Sequence, residues 1–245
     1  MTGPIGHGKT TFADALSKLI SPTVHLESSN IVIEVANKLQ QATSSLPDPT
    51  QVDSLNNWLH PLPGILKETV HTDCTFEDIR LNKKQMESHP VEYQKLILHI
   101  ENLKRYPQML QTEITPENKE GYRPLLQFLG GYLVSRIDSG IWFKEIARRI
   151  QLVEKAGCAL CIVGGLRYPT DAVILRSVGG IILEIHRPGF LQSDLMDPTE
   201  RERQSIAFDC TISSDGTVED IQNFAERFLQ DLHADQLQKV YHTKS

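Results

Sequence analysis

The stretch GPIGHGKTT, Gly3–Thr11, decides how the rest of the chain is read. It fits the spacing G-x-x-x-x-G-K-[ST] from Gly3 to Thr10. Each residue type in it has a physical task. Glycine reaches backbone conformations that turn successive N–H groups to one side, and it lets the backbone approach an anion closely. A helix that follows at once adds its own N-terminal N–H groups and the positive end of its dipole. Lysine reaches the β- and γ-phosphates of a nucleotide, and the next hydroxyl ligates Mg²⁺. That helix is present in the pattern. TTFADALSKLI, 10–20, places Phe12, Ala15, Leu16, Leu19 and Ile20 at helical spacing. Gly6, His7, Gly8, Lys9, Thr10 and Thr11 are therefore candidates to hold ATP, with Lys9 also catalytic and Thr10 the candidate Mg²⁺ ligand.

Such a loop normally hangs from the end of a buried strand. Only Met1 and Thr2 precede Gly3, whereas a central strand needs about five residues. The first strand is thus expected to be missing or truncated, by a shortened start in preference to a sheet without its central strand. A sheet lacking it would leave the backbone groups of the neighbouring strands unsatisfied.

Outward from the loop, TVHLE (23–27) reads as a short strand and IVIEVANKLQQ (31–41) as a helix. Residues 42–120 change character, with SSLPDP, HPLPG, many charges and helical patches such as VEYQKLILHIENLKRY (91–106). This is expected to be an inserted helical subdomain. Two further helices, RPLLQFLGGYLVSRI and IWFKEIARRIQLVEK, follow. CALCIVGG (158–165), GGIILEIHR (179–187) and DCTISS (209–214) then read as buried parallel strands, because their apolar runs suit burial on both faces. TDAVILRSVGG lies between the first two as a short helix stopped by glycine, and TVEDIQNFAERFLQDL (217–232) follows the third as an amphipathic helix capped by Thr217. The expected fold is α/β: a three-layer α/β/α P-loop NTPase fold with a mostly parallel sheet. Its core comprises 1–41 and 121–245, and 42–120 form a helical, lid-like insertion.

Composition narrows the function. The 245 residues carry a net charge of −6, which argues against general nucleic-acid binding because phosphate backbones demand a basic surface. No apolar run is long enough to span a bilayer, and no secretory leader is visible. The four cysteines include one C-x-x-C, Cys158 and Cys161, without a second ligand pair for zinc, so they read as small hydrophobes of a reduced, cytoplasmic protein. His7, His25, His60 and His186 show no metal-ligand spacing.

A small-molecule kinase needs arginines around its phosphates. Arg167 follows the strand CIVGG, at the carboxyl edge where α/β sheets bind ligands. Arg187 ends the next strand and Arg123 opens the helix RPLLQFLGG. Arg148, Arg149, Arg201 and Arg203 read as solvated surface charges.

Together these features resemble the deoxynucleoside monophosphate kinase family of phages and bacteria, within the P-loop kinases. Beyond the loop, YRPLLQFLGGYLVSRIDSGIWFKEIA (122–147) resembles the family's R-x-L-x-Q-x-L-G…W segment. CIVGGLRYPTDAVILRSVGGIILEIHRPG (161–189) is similar to its V-x-D-x-R-x-x-x-E…G-G…R-P-G pattern. DPTE (197–200) and DCTISSDGTVEDI (209–221) resemble its terminal signature. The resemblance implies that Arg123, Gly130 and Trp142 form the acceptor pocket and that Arg167 binds the acceptor phosphate with Asp171 nearby. It implies that Arg187 lies near the transferred phosphoryl, and that Asp215 and Gly216 sit beside the donor adenine. Trp142 reads equally as core, because Trp142, Phe143, Ile146 and Ile150 share helical spacing, and Gly130-Gly131 reads also as a close helix contact.

The chain departs from the family in three places. Gly165 stands where the family has the acidic residue that orients Mg²⁺ or its waters, and Glu27 is the candidate substitute, provided its strand neighbours that of the loop. Asp197 and Ser214 replace the terminal signature's His and Asn. The segment after the second strand, ESSNIVIEVAN, lacks the family's lysine near the acceptor. The activity expected is transfer of the γ-phosphoryl of ATP, with Mg²⁺, to a nucleoside or deoxynucleoside monophosphate. The alternatives are a P-loop kinase for another phosphorylated metabolite such as phosphomevalonate, and a nucleotide-binding protein without catalysis. A small-molecule substrate is expected as partner, with neither nucleic acid nor membrane, and a homodimer is left open.

Overall fold

The computed structural model describes residues 1–2, 7–43, 45–187, 202–203, 205–213, 216–234 and 240–242. It is mixed α/β and mostly helical, and it divides into two compact units, Met1–Glu27 with Ile146–Ser245, and Ser28–Glu145.

In the first unit, α1 (Lys9–Leu19) forms where the apolar spacing requires it and buries Phe12, Ala13, Ala15 and Leu16. β1 (Thr23–Glu27) pairs in parallel with β2 (Leu160–Gly164), with Glu27 opposite Gly164. β3 (Leu183–His186), β4 (Cys210–Ser213) and β5 (Val240–His242) form a second parallel set in that order. Alternation along β3 and β4 puts Leu183 opposite Cys210 and Ile185 opposite Ile212, all four buried. Against this face pack α1 and α11 (Val218–His233), through Phe12 and Leu16 from one and Ile221, Phe224, Ala225, Phe228 and Leu229 from the other. Thr217 caps α11 as expected: its hydroxyl accepts the Asp220 N–H while the Asp220 carboxylate accepts the Thr217 N–H.

The expected gap in the sheet is partly filled by Met1 and Thr2. Thr2 pairs in parallel with Glu184, donating its N–H to Leu183 O at 2.9 Å and accepting from Ile185 N–H at 3.0 Å. On the other side the Met1 amine donates to Val163 O at 2.6 Å, and the Thr2 hydroxyl donates to Leu166 O at 2.9 Å. Met1 and Thr2 thus bond both to β2 with the turn after it and to β3. These two residues supply hydrogen bonds to the strands on both sides.

α10 (Pro169–Ser177) starts with proline in its first turn and ends before Gly179, whose φ of 79° lies in the left-handed region that stops helices. β2 is half-buried at its start and buried at its end. Cys158 and Cys161 are half-buried thiols and Cys210 is a buried one, and burial raises the pKa of Cys161 to about 11 and of Cys210 to about 12.

The second unit is all helical: α2 (Ser28–Ala42), α3 (Val52–Leu59), α4 (Leu62–Val70), α5 (Phe76–Ile79), α6 (Lys83–Ser88), α7 (Pro90–Arg105), α8 (Arg123–Arg136) and the first residues of α9 (Ile141–Lys155). It is larger than the 42–120 insertion expected from sequence, because α2 packs on α4 and α8, and α8 packs on α7. Two amide side chains pin its connections. Asn37 exchanges hydrogen bonds with both backbone groups of Ile114 at 2.8 and 2.9 Å, and Asn56 does the same with Leu81. Phe128 stacks on Tyr132, whose hydroxyl donates to Ile79 O. Among the described residues no helix is long and apolar enough to cross a membrane.

His99 on α7 is fully buried between Trp58 and Tyr122, and neither ring nitrogen has a hydrogen-bond partner. Burial without a partner disfavours the charged ring and lowers its pKa to about 4. The unfolded chain binds a proton at His99 near pH 6.5 and the folded chain does not, so its contribution to stability is full above pH 6.5 and is lost as pH falls toward 4. Urea denaturation of His99→Leu beside the native chain is expected to show the variant gaining about 3 kcal/mol on the native chain between pH 7 and pH 4.

Candidate functional site

The described part of the loop starts at His7. Gly8 is the N-cap of α1 with φ 87°, in the left-handed region, and its carbonyl accepts the Phe12 N–H at 3.0 Å. No side chain caps α1, and no acidic residue stands in its first turn. Helix geometry leaves first-turn N–H groups pointing outward from such an end, and the dipole makes it electropositive. Lys9 is half-buried in this turn and Thr10 is exposed. Gly3–Gly6 lie outside the described residues, so the expectation for Gly6 falls there, as do those for Asp197, Arg201 and Asp215.

His7 ties the loop to the sheet. It is buried, 2 % exposed, and its Nδ1 accepts the backbone N–H of Arg187 at 2.9 Å. An accepting Nδ1 carries no proton, so the neutral ring holds its hydrogen on Nε2. Burial, then electrostatic repulsion from neighbours that include His186, Lys9, Arg203 and Arg187, lowers its pKa to about 4. His186 stands 5.6 Å away, ring centre to ring centre. His7 is thus a neutral strut surrounded by cations, and it fixes the start of the loop against the end of β3.

Arg187 follows β3 and is exposed, and Arg167 follows β2 and is exposed. The turn that presents Arg167 is held by Asp171, whose Oδ2 accepts the N–H groups of Arg167 and Tyr168 at 3.0 and 2.9 Å. Asp171 is buried, which raises its pKa to about 6 against the opposing effect of those N–H groups and of Arg167. Glu27 ends β1, Arg167 stands three residues past β2 and Arg187 one past β3, so each lies at or just beyond the carboxyl end of a strand.

The remaining candidates have the following settings. Arg203 is buried, 5 % exposed, and its Nη1 pairs with Glu184 Oε1 at 2.9 Å, so it is no solvated surface charge. The pair spans 19 residues of sequence and had no local signal. Arg148 and Arg149 are half-buried rather than fully solvated. Arg123 is exposed and pairs with Glu120, Nε to Oε2 at 2.8 Å and Nη2 to Oε1 at 3.3 Å. Trp142 is 6 % exposed and donates its Nε1–H to Gly130 O at 3.3 Å, which is the setting of a core residue. A Cβ on Gly130 would meet nothing within 4 Å and one on Gly131 only the Glu92 side chain at 3.6 Å, so neither glycine marks a tight helix contact. Arg123, Gly130 and Trp142 belong to the helical unit, and Lys9, Arg167 and Arg187 to the other. Gly216 has a local reason: a Cβ there would lie 2.1 Å from the Asp220 Oδ2 that completes the α11 cap.

The strand of Glu27 does not neighbour Met1–Thr2, because β2 stands between them. The carboxylate lies over Gly164, where a Cβ would fall 1.9 Å from its Oε1. Gly165, with φ 77°, is a position where any residue bearing a Cβ is strained. Among the described residues no group of three or more His, Cys, Asp or Glu could hold a metal ion. No protein-family profile matches the chain, and no curated protein is significantly similar to it.

Gly8 is where the loop geometry can be tested. An alanine there would be strained by φ 87° and would place its Cβ 3.0 Å from Ile221 Cδ1. Gly8→Ala is expected to lower stability by about 1–2 kcal/mol, read by urea denaturation, and to weaken ATP binding beyond what that loss explains.

Proposed function

We propose that the chain is an ATP-dependent phosphotransferase of the P-loop kinase type, with a nucleoside or deoxynucleoside monophosphate as acceptor. The observation that carries this is the N-terminus of α1. It is an uncapped, carboxylate-free helix end, entered through a left-handed glycine and carrying Lys9 and Thr10. An end of that kind favours a polyphosphate. The parallel pairing within both sets of strands, with Met1–Thr2 bonded to β2 and β3 and α1 and α11 packed on β3 and β4, supports the finer assignment to a three-layer P-loop fold.

In this reading Gly8, Lys9, Thr10 and Thr11 hold the triphosphate through their N–H groups and the Lys9 ammonium. His7 keeps the loop in register by accepting from Arg187 N–H, and it does so as a neutral ring that adds no charge. Arg167, on a turn fixed by Asp171, and Arg187 face the phosphates from the strand ends and balance their charge. Thr10 Oγ1 and the Glu27 carboxylate are the groups that would hold Mg²⁺, which when bound neutralises the phosphate charge. Phosphoryl transfer between anions needs positioning and charge balance more than a general base, which this set of cations suits. Gly165, which supplies no carboxylate, favours the second reading of a nucleotide-binding protein that does not turn over.

Release of ADP from ATP with Mg²⁺ separates the two, measured against the four deoxynucleoside monophosphates, their ribo-counterparts and phosphomevalonate. One monophosphate is expected to support turnover that Lys9→Ala and Arg167→Ala each reduce by 10²-fold or more, on the order of 3 kcal/mol of transition-state stabilisation. ATP binding without turnover on any acceptor would establish the non-catalytic reading.

A further inference from the structure

We infer that the first unit carries a peptide-binding slot, beside Met1 and between β2 and the approach to β3, which takes up an extended apolar segment of a separate polypeptide as an added strand. The inference is independent of the phosphate-site reading and draws on none of the residues placed in that site.

A cavity of about 360 Å³ adjoins Met1. Cys158, Ala159, Cys161 and Val163 line it from β2 and the turn before it, and Gly179, Gly180 and Ile181 from the segment that leads into β3. All of these residues belong to the first unit. The backbone around the cavity is set for a strand. Thr2 pairs in parallel with Glu184, donating to Leu183 O and accepting from Ile185 N–H. Ile182 turns the other way, since its carbonyl accepts the N–H groups of Asp209 and Cys210. Strand alternation therefore points the Leu183 N–H and the backbone groups of Ile181 to the side of Thr2, one step back along its line. Ile181 makes no backbone hydrogen bond among the described residues. On β2, Val163 O accepts the Met1 amine at 2.6 Å, so the same alternation points the Val163 N–H and both backbone groups of Cys161 toward the cavity. Val163 and Leu183 are 8 % and 5 % exposed, so these edges lie largely out of water, where backbone groups require partners.

Only an extended backbone offers donors and acceptors at this two-residue spacing to both edges at once. A small molecule would meet one or two of the groups and leave the rest. Counting back from the bond between Met1 and Val163 to Ala159 gives room for about four residues at roughly 3.3 Å each. The added strand runs parallel to β3, the direction that Thr2 already takes. Ile150, Val153, Leu175 and Val178 also line the cavity, so the side chains on that face of the strand are apolar. Cys161 keeps the wall neutral, because burial pushes its thiol up to about 11. Glu154 is the one charged side chain among the lining residues, which favours a peptide with a basic residue beside its apolar run over an acidic one.

The test uses the full chain and a short synthetic peptide, one lysine followed by a run of valine and isoleucine, acetylated and amidated. Amide exchange is followed residue by residue by NMR. Binding is expected to slow exchange of the Cys161, Val163, Ile181 and Leu183 N–H groups by about 10-fold or more. It should also slow maleimide labelling of Cys158 and Cys161, while Cys74 in the helical unit reacts as before. The same peptide methylated at alternate amide nitrogens keeps its side chains and loses its strand bonds, so it should protect none of these groups. A chain carrying the peptide's residues ahead of Met1 should fill its own slot and no longer bind the free peptide. Equal binding of the methylated and unmethylated peptides would overturn the inference, because apolar contact alone would then explain it. So would a peptide that leaves the four N–H groups unchanged, or a chain with the added residues that binds the free peptide as well as the native chain does.

Discussion

Two residues hold this architecture together. Met1 and Thr2 link β2 to β3 through the amine of one and the backbone and hydroxyl of the other. Thr2 is 3 % exposed, so these bonds lie out of water, where an unmade hydrogen bond costs more than a made one contributes. Without them β2 and β3 would face each other across unsatisfied backbone groups. The same two residues lead directly into the loop, so its anchor and the junction between the strands are one structure. Glu184, the partner of Thr2, carries the buried pair to Arg203, and His7 binds the backbone just beyond β3. The loop is thereby fixed on the β3 side by a bridge, an ion pair and a neutral histidine.

Charge is distributed with the same economy. The α1 terminus is positive by geometry, and Lys9, Arg167 and Arg187 add full charges to the same unit. Their number would repel the native state if each were buried, but Arg167 and Arg187 stand exposed and only Arg203 is buried with its own carboxylate. A buried arginine without Glu184 would cost several kcal/mol. His7 is the one member of the cluster that the surroundings keep neutral, and that neutrality lets its Nδ1 accept from Arg187.

Much of the secondary structure was legible in the sequence for physical reasons. Strong periodicity fixed α1, α9 and α11, and the Thr217 cap with Asp220 was a local signal. TVHLE reads as β1 at the same bounds that the fold shows. What sequence reasoning missed was non-local or too short to have a period. β5 has three residues, and the Met1–Thr2 bridge has two. Arg203 reads as a surface charge because its partner Glu184 lies on a strand far away in sequence. Arg123 pairs with Glu120 three residues earlier, a contact that local spacing offers. Glu27 was a candidate on position alone. That its carboxylate lies over Gly164 follows only from the β1–β2 register.

The account stands or falls on whether the start of α1 binds a nucleotide triphosphate. Amide hydrogen exchange on the full chain, with and without ATP and Mg²⁺, reads this most directly. Slower exchange is expected in the peptide covering His7–Phe12 and in the turn at Arg167–Tyr168, with no change in the helices α3–α6. Unchanged exchange at His7–Phe12 under saturating ATP would contradict the account, because a phosphate held by those N–H groups cannot leave their exchange unaltered.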